Sequence, residues 1–335
     1  MQEYRNWPLR KFYAKLTEGF LLQTVSDSFL ALRSGKAFVF LTMQKIKLHL
    51  QGPELSRIVA GAWRWNALSP AQIDALIKTS LENGITSFDH ADIYGNYTCE
   101  ETFGNALRGN SSLRTRLRLI TKFGIKLISD KKPDHSIKHY DTSKEHIAQS
   151  VENSLNALGT DHLDVVLIHR PDPLLNPEEV AEAFTRLKKQ GKVLFFGVSN
   201  FTTTQFEMLQ SYVSFPLVTN QLELSLFRNE SFFNGDVDVM MKHKVRPMAW
   251  SPLGGGKYMD DNRVKDVVEK FCGQYQITPT QLLLAWLLRH PAAVLPVIGT
   301  TKPERIADAA AAITVNLARQ DWFELLKAVS GKDVA

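Results

Sequence analysis

From Arg57 onward, short apolar runs alternate with longer amphipathic stretches. Eight of these runs read as strands. The first four are R-I-V-A-G-A-W (57–63), I-T-S-F-D (85–89), R-L-I-T-K (118–122) and L-D-V-V-L-I-H (163–169). The second four are V-L-F-F-G-V-S (193–199), L-V-T-N-Q-L (217–222), V-R-P-M-A-W-S (245–251) and A-V-L-P-V-I-G (293–299). Apolar residues fall on both alternating faces, as parallel strands covered on each side require. The intervening stretches carry helix starts: Ser69-Pro70, Asn176-Pro177 and Thr278-Pro279 each set a capping side chain before a proline at the first helical position. Ser143 opens a further helical pattern, I-A-Q-S-V-E-N-S-L-N-A-L-G (147–159), that stops on Gly159.

Eight strands alternating with helices predict an α/β fold, a (β/α)8 barrel, closing with a short terminal helix around 322–329. An open doubly wound sheet is the rival. No G-x-G-x-x-G follows the first strand, however, and Gly254, Gly255 and Gly256 come late with the wrong spacing. With no linker and no repeat, residues 43–335 read as one barrel domain. Residues 1–42 read as an N-terminal extension outside the fold. Organised sequence begins at K-I-K-L-H-L (45–50), and Met43 is the expected start.

Composition changes this picture little. The net charge of +5 comes from dispersed basic residues, so nucleic acid is not an expected partner. Cys99 and Cys272 are too few for a disulfide framework and lack metal-ligand spacing, which suits a reducing cytoplasm and predicts no metal. No apolar run approaches the ~18 residues of a membrane span. Oligomeric state is not readable.

The chemistry lies at the strand ends, where barrels carry their active sites. Asp89, Tyr94, Lys122 and His169 each fall just past an apolar run. Each alone has an ordinary structural reading as a cap, a packing ring, a solvated amine or a core imidazole. Together they make a proton donor with a tunable pKa. A phenol near pKa ~10 needs help at neutral pH. An ammonium from Lys122 would lower it, Asp89 would hold that ammonium, and His169 would orient a substrate oxygen.

These segments resemble the aldo-keto reductase superfamily, in its YdhF-like branch of bacterial oxidoreductases. The motifs, in order, are F-D-H-A-D-I-Y-G (88–95), T-K-F-G (121–124), L-I-H-R-P (167–171), G-V-S-N-F (197–201), N-Q-L-E (220–223), A-W-S-P-L-G-G-G (249–256) and I-G-T-T-K-P-E-R (298–305). The resemblance implies NADPH-dependent reduction of aldehydes or ketones, with Tyr94 as general acid, Lys122 and Asp89 tuning it, and His169 orienting the carbonyl. It also implies that Ser199, Asn200 and Gln221 hold the nicotinamide carboxamide and that Trp250 stacks on the ring. Ser251, Pro252, Leu253 and Gly254 would wrap the pyrophosphate, with Gly61 and Ala62 completing that wall. Gly299, Thr300, Thr301, Lys302 and Arg305 would take the adenosine 2′-phosphate, a guanidinium favouring NADPH over NADH.

Two positions depart from the family pattern. His90 stands where Thr or Ser is common, and Asp308-Ala309 replaces a Glu-Asn pair that contacts adenine. The substrate pocket is expected to draw on Trp63, Trp65, segment 125–141 and segment 226–233. The short tail after the barrel leaves little chain to cap it, so an open pocket and broad aldehyde or ketone tolerance are expected. Two other readings stand beside the reductase: an NADPH-sensing regulatory subunit with slow turnover, and a barrel lyase or isomerase using Lys122 as an amine nucleophile.

Overall fold

The structure is a computed structural model that describes residues 29–34, 37–108 and 110–334. All eight apolar runs become strands: β1 Val59–Gly61, β2 Ser87–Asp89, β3 Arg118–Phe123, β4 Leu163–Ile168, β5 Val193–Ser199, β6 Leu217–Glu223, β7 Met248–Trp250 and β8 Leu295–Ile298. They form a closed parallel barrel in which sequence neighbours are spatial neighbours. Closure comes from β8 on β1, through Val297 opposite Val59 and Ile298 opposite Ala60. Strands β1, β2 and β7 pair over only three residues each, fewer than the apolar runs suggested. The residues beyond them leave the ladder to build the rim, which is why the candidate site residues cluster there.

Inside the barrel, Val59, Ile120, Val165, Leu167, Val218, Met248, Leu295 and Val297 form one buried cluster. Leu48 and Leu55 complete it from an antiparallel hairpin, Lys45–Lys47 with Glu54–Ser56. The hairpin thus plugs the end of the barrel where the strands begin, which leaves the opposite rim for chemistry. The outward faces of the strands meet the helices in the larger core, including Phe88, Phe103, Phe184, Phe196 and Trp286.

The surrounding helices are α1 Pro70–Glu82, α2 Cys99–Leu107, α3 Lys144–Leu158, α4 Pro177–Lys189, α5 Thr203–Tyr212, α6 Asp236–Lys242, α7 Asn262–Tyr275, α8 Pro279–Leu288, α9 Pro303–Ala311 and α10 Arg319–Ser330. Ser69 and Thr278 make full capping boxes with Gln72 and Gln281, and Asn176 caps α4. Ser143 caps α3, which ends on Gly159 in the left-handed conformation at φ 64°. Helix α10 lies against α7 and the end of α8, where Trp322 stacks on Trp286 at 4.6 Å. Each indole N–H donates to the other residue's carbonyl, at 3.1 and 2.9 Å, so α10 is fixed to the barrel's flank. Of the N-terminal extension, Phe29–Ser34 and Ala37–Thr42 pair as an antiparallel hairpin, and residues 1–28 and 35–36 lie outside the described residues. Among the described residues no helix is long and apolar enough to cross a membrane.

Helices α2 and α3 touch through Gly104. A Cβ there would overlap the Ala157 carbonyl oxygen and lie 2.8 Å from the Leu158 backbone. Backbone cannot swing aside as a flexible side chain can. Gly104→Ala is therefore expected to cost about 1–3 kcal/mol through overpacking, read as a lower denaturant midpoint at unchanged slope.

Candidate active site

Strand β2 ends at Asp89, which pairs with Ile120 on β3. Residues two apart on a strand share a face, so Lys122 points to the same side as Ile120, into the barrel. There its ammonium donates to Asp89 Oδ2 at 2.6 Å, to the His90 carbonyl at 2.8 Å and to Tyr94 Oη at 3.1 Å. An ammonium has three protons, and here all three have acceptors. That is how a lysine side chain only 1% exposed stays charged. Burial alone would depress its pKa, but Asp89 first and Tyr94 second carry the net shift upward.

Tyr94 is held by an unusual turn. Gly95, Asn96 and Tyr97 all have positive φ, at 58°, 56° and 65°. At Gly95 a Cβ would also overlap Asn66 and crowd Cys99 Sγ at 2.7 Å, so glycine is required twice over. The sequence led us to expect a phenol pulled down by Lys122. In the protein its pKa is raised: burial outweighs Lys122, and Asp89 adds to the rise. The phenol is thus fully protonated at neutral pH, and the cation beside it acts when negative charge develops on the oxygen.

His169 follows β4, its backbone N–H bonded to the Phe123 carbonyl at 2.8 Å. Its ring meets Tyr94 edge-on, with centroids 5.8 Å apart. Burial, then Lys122, Arg170 and Lys138, hold its pKa well below the usual imidazole range, so the ring is neutral. A neutral imidazole carries one N–H. Nδ1 is buried without a partner, which leaves Nε2 as the nitrogen for a substrate oxygen.

A chain of hydrogen bonds runs from this cluster to the other side of the rim. Gln221 Nε2 donates to Asp89 Oδ1 at 2.9 Å, and the Gln221 carbonyl accepts from Ser199 Oγ at 2.8 Å. Ser199 Oγ accepts from Asn200 Nδ2 at 2.8 Å, and Asn200 Oδ1 from Trp250 Nε1 at 2.9 Å. Asn200 reaches both ways because it leaves β5 at φ 61°, a left-handed conformation that Asn tolerates better than most residues. Ser199, Asn200, Gln221 and Trp250 are therefore one connected group, already joined to the carboxylate that holds Lys122.

The remaining sequence-selected residues divide. Ser251 leaves β7 at φ 52° and starts the turn through Leu253 to Gly254, whose N–H bonds the Ser251 carbonyl at 2.9 Å. Gly254, Gly255 and Gly256 have positive φ, and a Cβ at either of the last two would meet open space. Pro252 is buried beneath that turn. Gly299 is exposed, Thr300 and Thr301 half-buried, and Lys302 and Arg305 exposed at the start of α9. No side chain caps that helix, Pro303 has no N–H and the Arg305 N–H bonds the Lys302 carbonyl at 3.1 Å, so what this helix start offers an anion is the exposed side chains of Lys302 and Arg305. Gly61 and Ala62 are buried, and the Ala62 N–H is bonded to the Asp89 carbonyl at 2.9 Å. This donor set fits a nicotinamide dinucleotide: a polar group beside Tyr94, a glycine turn open to close approach, and an uncapped helix start with two cations.

The sequence profile of the Aldo/keto reductase family matches residues 57–329. The chain belongs to the aldo/keto reductase family. Among relatives of this reductase, the 6-dehydroglucose reductase of Agrobacterium fabrum is 45% identical over 298 residues, covering 88% of this chain and 100% of that one. The oxidoreductase YdhF of Escherichia coli is 44% identical over 299 residues, covering 87% and 99%. A crystal structure of a thermostable aldo-keto reductase with the inhibitor epalrestat superposes with a TM-score of 0.75 at 25% identity, covering 85% of this chain and 100% of that one. The chain is an NAD(P)H-dependent oxidoreductase of the YdhF-like branch.

At this reductase's rim one expectation changes, one alternative falls away and the departure at His90 acquires a place. Trp65 does not line a pocket: it is 1% exposed, packed on Phe88 and Phe103, with its indole N–H donated to the Thr300 carbonyl at 3.0 Å. His90 does not hydrogen-bond near Asp89 through its side chain. Its ring is buried edge-on to Phe103 at 4.5 Å with neither nitrogen partnered, and burial takes its pKa down to about 3. Only its backbone carbonyl serves Lys122. Lys122 is no amine nucleophile, because its raised pKa keeps it an ammonium with every proton engaged.

Asp308 accepts from Thr278 Oγ1 at 2.9 Å and Gln281 Nε2 at 2.8 Å, tying α9 to the start of α8. Sequence reasoning passed over Arg170. Its guanidinium sits 5.5 Å from the Trp250 ring centroid and bears on His169. Its position beside His169 in L-I-H-R-P was the available signal.

Proposed function

We propose that this protein reduces aldehydes or ketones to alcohols with NADPH in the cytoplasm, Tyr94 acting as the general acid. The observation that carries the reading is the buried set of Asp89, Lys122 and Tyr94, with the neutral His169 ring 5.8 Å from the phenol ring. A substrate carbonyl oxygen at this point would accept from Tyr94 Oη and from His169 Nε2. As negative charge grows on that oxygen, the phenol proton passes to it and Lys122 stabilises the phenolate left behind. Asp89 keeps Lys122 charged and in place throughout. When bound, NADPH supplies the hydride that the carbonyl carbon receives. Ser199, Asn200 and Gln221 would fix the carboxamide, and Trp250 would give the nicotinamide its flat support. The turn from Ser251 to Gly254 and the start of α9 would hold the phosphates.

Arg170 and Trp63 are half-buried and exposed rim residues, respectively, and they would meet substrate. A guanidinium at the mouth suits oxygen-rich carbonyls, and the name of the Agrobacterium relative puts 6-dehydroglucose on the panel to be tried. The deciding experiment is NADPH oxidation across aldehydes and ketones, sugars included. Turnover with none of them sinks the reading. A captured stoichiometric protein partner together with negligible turnover would favour the regulatory alternative.

Arg305→Ala is expected to raise the KM for NADPH roughly tenfold, with kcat little changed and the KM for NADH unmoved. Steady-state kinetics with both cofactors check this. An equal loss for NADH would show that Arg305 does not read the 2′-phosphate.

A further inference from the structure

Behind the strand that carries Lys122 lies a second cavity, about 270 Å³, that none of the four catalytic candidates lines. Helices α2 and α3 wall it, and residues from segment 125–135 close it over. The buried carboxyl of Glu100, the half-buried carboxyl of Asp92 and the His146 imidazole face it. Glu100 has both oxygens occupied, by the hydroxyls of Thr121 and Ser154. Asp92 Oδ2 accepts from Ser150 Oγ at 3.1 Å, but Oδ1 is buried with no partner. His146 Nε2 is likewise buried and unpartnered.

The tautomer of His146 follows from its other nitrogen. Lys126 Nζ lies 3.2 Å from Nδ1, and an ammonium can only donate, so Nδ1 accepts and the ring proton sits on Nε2. Burial and then Lys126 lower the His146 pKa to about 4, so the ring stays neutral. Asp92 is pushed up to about 8, by burial and then by Glu100, which burial itself raises to about 7. Near neutral pH Asp92 is a carboxylic acid. With Oδ2 bonded to Ser150, Oδ1 is the oxygen left for a ligand in the cavity, and a proton placed there would make it a donor. His146 and Ser150 lie one turn apart on α3. His146 Nε2 and Asp92 Oδ1 are thus two unpartnered polar atoms on residues that line one cavity.

We propose that this cavity binds a small carboxylate, whose oxygens accept from His146 Nε2 and Asp92 Oδ1. The charged groups around it fit an anion. Lys126 and Lys132 line the wall, Lys126 shared with Asp141 at 3.6 Å and Lys132 over the Tyr97 ring at 5.5 Å. Glu101 on α2 and His135 in the roof complete the titratable lining, and Lys122 lies across the strand. A cation would instead meet an N–H and two ammonium groups. Binding requires Asp92 and Glu100 to be neutral, so the affinity falls as the pH rises through their range and their charges repel the anion.

The test uses protein labelled with nitrogen-15 in histidine and saturated with NADP⁺, titrated with acetate. The His146 imidazole signal is assigned by its loss in His146→Leu, or in His146→Asn if the first variant does not fold. Near pH 6 the signal should shift saturably, and by about pH 9 the affinity should fall about tenfold or more. Asp92→Asn keeps a donor that cannot ionise, so its affinity should fall less steeply over the same range. Three results would overturn the proposal: a His146 signal that acetate never moves, which leaves the cavity to water; a signal that responds to methylammonium in place of acetate; or an Asp92→Asn protein with the wild-type pH dependence.

Discussion

Replacing Tyr94 with phenylalanine is expected to reduce kcat by about 10²–10⁴-fold, the usual contribution of a positioned general acid, while NADPH binding stays close to wild type. The variant deletes one oxygen. The residues suited to NADPH (Ser199, Asn200, Gln221, Trp250 and the start of α9) make no contact with that oxygen, which bonds Lys122 Nζ at 3.1 Å. The loss should appear equally in kcat and kcat/KM, because the interaction removed matters only as charge builds on the substrate oxygen. Fluorescence titration with NADPH provides the second arm. If turnover survives within a few-fold, the proton comes from elsewhere, His169 being the nearest alternative. If binding collapses with turnover, the phenol holds the rim together rather than supplying a proton.

Lys122→Met should be nearly as damaging to turnover and far worse for stability, about 3–5 kcal/mol, because it strands a buried carboxylate. Asp89 is only 3% exposed, and its charge is matched chiefly by the ammonium 2.6 Å away. Gln221 Nε2, at 2.9 Å from the other oxygen, offers one neutral hydrogen bond in its place. Asp89→Asn alone leaves the opposite fault, a buried ammonium facing an amide. Combining Asp89→Asn with Lys122→Met removes both charges, so the double variant should be more stable than the sum of the single losses predicts. Urea unfolding of the three proteins measures this. Strict additivity would mean that the pair does not act as a unit, and the account of how Lys122 keeps its charge would fail with it.

The fold was legible because it depends on local pattern. Eight β-branched runs apolar on both faces, with proline and capping residues between them, leave few arrangements but a covered parallel barrel, and each run appears as a strand. Capping at Ser69, Ser143, Asn176 and Thr278 was equally readable, since a cap involves residues only two or three apart. The four candidate catalytic residues were visible through their places after strands, and three of them converge on Lys122 Nζ or, for His169, on the Tyr94 ring.

What failed were statements about environment. Trp65 looked like pocket lining because it follows a strand, yet its ring is in the core while its neighbour Trp63 is 47% exposed. The direction of the Tyr94 pKa was misjudged because the sequence names the cation beside it but not the depth at which the phenol sits. Arg170 was marked only by its place beside His169, and the acids Asp92 and Glu100 carried no pattern of their own. Their surroundings come from α2, α3 and the end of β7, elements up to 150 residues away from one another along the chain.

The sequence alone thus determined the order of elements, the barrel and which residue types reach its rim, because periodicity and capping act over a turn or a strand. Only the tertiary structure decided which groups are dry, which charges face each other and which nitrogens lack partners. Those properties are set by burial and by distances of a few ångströms between segments remote in the chain, and no local pattern encodes them.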